Sequence, residues 1–87
     1  MRAVITVIGK DMVGILAKVS GTCAEANANV IEVTQSVLQE FFAMVMLIDI
    51  EKMNCDLGQL QEKLKQNVPG MKIHVMHEDI FNSMHRI

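Results

Sequence analysis

Four groups of residues have types that could do chemistry. Gly9 and Gly14 stand where the two glycines of a phosphate loop would. Such a loop continues with Lys and Ser or Thr to hold phosphate and magnesium, whereas Ile15 and Leu16 follow here, so nucleotide hydrolysis is excluded. His74, His77 and His85 are nitrogen donors suited to zinc. His74 and His77, however, fall on opposite sides of an alternating segment, and no Cys or Glu pair completes four ligands. Cys23 and Cys55 are the two thiols, without the Cys-x-x-Cys of a metal carrier, and they read as reduced and unpaired. Ser20, Thr22, Cys23 and Glu25 share a segment but form no nucleophile–base constellation. The expectation is a protein that is not an enzyme, with no cofactor and no metal.

These residues must be positioned by one small body, because 87 residues suffice for a single domain and not for two. A chain 51% apolar and 21% charged has the composition of a globular fold. A formal charge of −2 with scattered lysines and arginines offers no concentrated positive field for a phosphate backbone, so nucleic acid is not an expected partner. Phe41 and Phe42 have no adjacent Lys or Arg, unlike the exposed aromatics of RNA-binding sheets. No apolar run approaches the roughly 18 residues of a membrane span, and the N-terminus reads as a strand rather than a signal peptide. A cytoplasmic protein without membrane contact is expected.

Periodicity supplies the elements. Residues 2–8 alternate as a strand that Gly9 ends, and the loop 9–14 follows. Ile15, Leu16, Val19, Cys23 and Ala26 recur at helical spacing, predicting a helix over about 13–26. Asn27-Ala28-Asn29 then tolerates the left-handed backbone that a helix end and turn require. Strands follow at about 29–38 and 41–50, joined by a Gln39-Glu40 turn. Asp56 with Gln59 three residues on forms a capping-box pattern, Leu57, Leu60, Leu64 and Val68 mark the helix stripe, and Pro69-Gly70 ends it. Residues 71–77 alternate as a last strand. In the tail, 78–87, Ile80, Phe81, Met84 and Ile87 have the spacing of a short amphipathic helix. The order β-α-β-β-α-β makes 1–77 an α+β domain of ferredoxin-like type: a four-stranded antiparallel sheet, order 4-1-3-2, with two helices on one face.

That arrangement leaves the other sheet face bare, yet the third strand is apolar on both sides. Each medium apolar side chain left in water forgoes about 1.5–3 kcal/mol, so something must cover the face. A second copy of the chain is the expected cover, with Phe42, Met44, Met46 and Ile48 as the dimer interface, and the tail folding back is the other candidate. The eight methionines read as core filler.

The run from Ala3 to Leu16, with Gly9-x-Asp11-x-x-Gly14-Ile15-Leu16 opening the first helix, resembles the first strand and ligand loop of ACT domains. Asn27-Ala28-Asn29-Val30-Ile31 is similar to their entry into the second strand. The likeness covers residues 1 to about 77, and the tail resembles that of small stand-alone ACT proteins similar to the glycine-cleavage transcriptional repressor subfamily. The resemblance implies regulation by a small-molecule ligand, an amino acid, held at a homodimer interface between the first loop of one chain and the adjacent chain. It places Asp11, Met12, Val13, Gly14, Ile15 and Leu16 at the ligand, with Asn29 offering its amide. Gly14 would let a carboxylate approach the free N–H groups at the positive end of the helix. The family often carries Arg where this chain has Met12, which removes one anion partner. The same residues admit structural roles: Gly14 easing the helix onto the sheet, Asp11 capping it, Asn29 shaping a turn. Two functions therefore stand, a ligand-sensing dimer acting on a target protein and an adaptor that needs no small molecule.

Overall fold

The computed structural model describes residues 1–84. Strand β1 (Arg2–Lys10) leads to helix α1 (Ile15–Glu25), strands β2 (Asn29–Leu38) and β3 (Phe41–Asp49), helix α2 (Leu57–Asn67), strand β4 (Lys72–His77) and helix α3 (Glu78–Met84). The sheet order is β2-β3-β1-β4 and every pair is antiparallel, which is the expected ferredoxin-like topology. Of the expected tail helix, residues 78–84 are α3, while Ile87 lies outside the described residues.

Beta1 and β3 occupy the centre, and their register fixes the core. Ala3, Ile5 and Val7 pair with Ile48, Met46 and Met44, and all six are buried under α1 and α2 together with Val19, Cys23, Leu60, Leu64 and Ile73. The interface expected at Phe42, Met44, Met46 and Ile48 is therefore corrected: these four side chains are the inner face of β3, packed in the chain's own core. The face left open carries Phe41, Ala43, Val45 and Leu47. The two-residue turn sets this parity, because pairing Leu38 with Phe41 aligns polar Ser36 and Thr34 with Ala43 and Val45.

Two boundaries also move. Beta1 does not stop at Gly9 but runs to Lys10, pairing with Phe42 and Phe41. Gly9 is needed there for proximity rather than for ending a strand, since a Cβ would run into the Met71 Sδ and lie 3.3 Å from the Gly70 carbonyl oxygen. Helix α1 begins at Ile15, not 13, because Gly14 adopts φ 85°, a left-handed conformation incompatible with the helix interior. In β2, Ile31 has no partner between the pairs Val30–Ile48 and Glu32–Leu47, a bulge that returns Val33 to the core side.

Local caps match the reading of the sequence. Asp56 Oδ1 accepts from the Gln59 N–H at 2.8 Å, and Gln59 Oε1 accepts from the Asp56 N–H at 3.0 Å, closing the box at the start of α2. Asn27, at φ 60°, turns the chain after α1 and donates to the Lys52 carbonyl at 2.8 Å. Asn54, which periodicity did not single out, donates to the Glu25 carbonyl at 3.0 Å and satisfies the end of α1 from across the fold.

Helix α3 folds back onto the open face. Arg2 points there, since it alternates with core Ala3, and its Nη2 meets Glu78 Oε2 at 2.6 Å. Val4 is next on that side and only 3% exposed, with α3 packed against β1 and β4.

Burial pushes the Cys23 thiol up from 9.0 to about 11. The unfolded chain therefore releases this proton first as pH rises. Stability is full below pH 9 and falls as pH climbs toward 11, by up to about 2 kcal/mol. Denaturant unfolding at pH 8 and pH 10.5 should show this loss, and Cys23→Ala should reduce it.

Candidate functional site

The loop from Asp11 to Gly14 joins the end of β1 to α1, and every residue in it is exposed, Val13 almost completely at 99%. It is tied to the neighbouring hairpin through its backbone, with the Asp11 N–H donating to the Glu40 carbonyl at 2.8 Å. Asp11 does not cap α1, since the N-cap is Gly14, which has no side chain to offer. Nor does Gly14 ease the helix onto the sheet, since a Cβ there would meet nothing within 4 Å. Its role is the positive φ that turns the chain into the helix. The first helical bond runs from the Lys18 N–H to the Gly14 carbonyl at 3.0 Å. Ahead of it, the N–H groups of Ile15, Leu16 and Ala17 stand at the positive end of α1, with no acidic side chain in the first turn to offset them.

The side chains divide around this end. Met12 and Leu16 are 42% and 40% exposed and flank the loop, whereas Ile15 is buried in the core, so only its backbone could face a ligand. The arrangement provides donors for an anion, one carboxylate at Asp11 for a cation, and apolar surface between them.

Asn29 is elsewhere. It pairs with Asp49, which pairs with Arg2, whereas the loop leaves β1 after Lys10. Eight residues of strand separate the two rows, about 26 Å at about 3.3 Å per residue. Within one chain, the structure brings Asp11, Met12, Gly14 and Leu16 together and leaves Asn29 at the opposite end of the sheet. There Asn29 lines an open cleft of about 470 Å³ with Ala24, Asn27, Asp49, Glu51 and Lys52.

The two sheet edges differ. On β4, the Val75 N–H donates to Gln61 Oε1 of α2 at 2.8 Å, so the helix engages one of this edge's donors. Beta2 is the longer edge, ten residues against six. Its ladder partner is β3, on the inner side.

The ACT domain profile matches residues 2–77, the whole of the sheet and both covering helices. The chain belongs to the ACT domain family. A UPF0237 protein of Clostridium perfringens is 47% identical over 89 residues, covering 100% of both chains. A solved ACT domain protein from Streptococcus pneumoniae is 35% identical with a TM-score of 0.76, covering 98% of each chain. A putative glycine cleavage system transcriptional repressor shares the fold at a TM-score of 0.67 and 24% identity, covering 85% of this chain and 43% of its own. The chain is thus a regulatory ligand-binding domain, and it spans nearly the full length of the curated relatives it matches. Among the described residues no group of three or more His, Cys, Asp or Glu is placed to hold a metal, and no helix is long and apolar enough to cross a membrane.

Two glycines of this region separate by conformation. Gly14→Ala forces a methyl group onto a left-handed residue and should cost about 1–2 kcal/mol. Gly21, inside α1 with open space where its Cβ would go, should gain about 0.5–1 kcal/mol as Gly21→Ala. Urea unfolding of both variants checks the opposite signs.

Proposed function

We propose that this ACT domain senses an amino acid at a site shared between two copies, and that binding changes how the pair meets a target protein. The observation that carries the reading is the split site: the anion-accepting end of α1 and Asn29 lie at opposite ends of one sheet. Two copies joined antiparallel along β2 unite them. Strand direction reverses across a two-fold axis, so the Asn29 end of one β2 lies beside the Leu38 end of the other. Leu38 belongs to the hairpin whose Glu40 carbonyl holds the Asp11 loop, so the partner's Asn29 arrives at that loop. The ligand carboxylate then takes the N–H groups of Ile15, Leu16 and Ala17, its ammonium group takes Asp11, and the partner's Asn29 closes the site. Met12 and Leu16 bound the side-chain end. The free β2 edge, against the β4 edge engaged by Gln61, supports this choice of interface.

The adaptor reading draws support from the apolar residues still exposed on the open face, among them Phe41 and Val45. The two readings part in one experiment, thermal melting of the protein with each of the twenty amino acids. A ligand at ten times its Kd adds about 1.4 kcal/mol, a rise in Tm of about 6–11 °C for a domain of this size. Asn29→Ala and Asp11→Ala, both at exposed positions, should melt as the parent does without ligand and lose the ligand-dependent rise. No rise with any amino acid would leave the adaptor.

A further inference from the structure

The two flanks of α1 face different neighbours. Thr22 Oγ1 accepts from the Asn67 amide of α2 at 2.8 Å, and Lys18 and Glu25 line one cleft with that pair, so this flank is turned toward α2. Leu16 and Ser20, one turn apart, lie on the other flank, away from α2 and toward β2, against which α1 packs. Beta2 presents Val37 on the same side of the sheet. It pairs with core-facing Phe42, so its side chain lies on the helix side, where it is 55% exposed. Gln35, opposite Met44, is next along that side.

Among the described residues, this strip carries no charged side chain. The two charged residues of α1, Lys18 and Glu25, are both on the α2 flank. Lys10 pairs with Phe41 and so projects from the opposite face of the sheet. Asp11 supplies the loop's carboxylate, and Glu40 lies in the hairpin turn whose carbonyl holds the loop. Met12, Leu16 and Val37 are thus three exposed apolar side chains around the start of α1, beside its free N–H groups.

We infer that the ligand is an amino acid with an apolar side chain, of the leucine, methionine or phenylalanine kind, an assignment that rests on the sensor reading. The backbone N–H groups and Asp11 meet the carboxylate and ammonium groups, which every amino acid has. The side chain runs over Met12, Leu16 and Val37, where an apolar group leaves water and a charged one loses hydration with no counter-ion in return. A serine side chain covers too little of this surface to gain by it. One methylene in an apolar pocket is worth about 10–200-fold in discrimination, so even a groove half open to water favours leucine over alanine by about tenfold.

The test is calorimetric titration of the full-length protein with single free amino acids. Leucine, methionine and phenylalanine should bind about tenfold more tightly than alanine, and serine, aspartate and lysine no better than alanine. Leu16→Ala and Val37→Ala, both at exposed positions, should keep the parent circular dichroism and bring the leucine-to-alanine affinity ratio close to one. Serine, aspartate or lysine binding most tightly overturns the inference while the sensor stands, and so does a ratio that neither substitution moves. Binding of no amino acid removes the sensor and the inference with it.

Discussion

In a strand, side chains point alternately to the two faces, so the pairing of β1 with β3 decides at a stroke which residues are core. Ile5 opposite Met46 and Val7 opposite Met44 put the bulkier set of β3 inward, where α1 and α2 pack with Val19, Cys23, Leu60 and Leu64. A slip of one residue would exchange Met44 and Met46 for Ala43 and Val45, leaving voids under both helices. The same pairing sets the ends of the sheet: Lys10 opposite Phe41 carries the chain to the loop before α1, and Arg2 opposite Asp49 places β2's first residue at the far end. The separation between Gly14 and Asn29 follows from that ladder.

The topology was legible because its punctuation is local chemistry. Asp56 with Gln59, Asn27 in a left-handed turn, and Pro69-Gly70 after α2 each state a boundary through a hydrogen bond or a dihedral that few other residues provide. The faces of β3 were not legible from that strand alone, because both of its stripes are apolar. The signal lay in its neighbour. Glu32, Thr34 and Ser36 are the polar side of β2, and a two-residue turn at Gln39-Glu40 sets them against Leu47, Val45 and Ala43, which marks those three as outward. The candidate site was legible as a loop and a helix start. That Asn29 lies at the other end of the sheet depends on strand lengths and register, which periodicity gives only to within a residue or two.

What α1 offers a ligand is backbone. Gly14 gives up its own conformational freedom to turn the chain and presents N–H groups without a competing side chain, while Ile15, one residue on, anchors the helix in the core. Donors fixed in this way lose little on binding, which suits recognition of a carboxylate common to all amino acids. Selectivity must then come from side chains, and here Met12 and Leu16 provide apolar surface.

The Gln61 amide oxygen on the Val75 N–H has a consequence for how many chains can join edge to edge. A sheet with two equivalent free edges can pair head to tail, each β4 with the next molecule's β2, and nothing stops such growth short of a fibre. With α2 engaging one donor of the β4 rim, that edge offers a neighbouring strand less than β2 does, which disfavours growth by unlike edges.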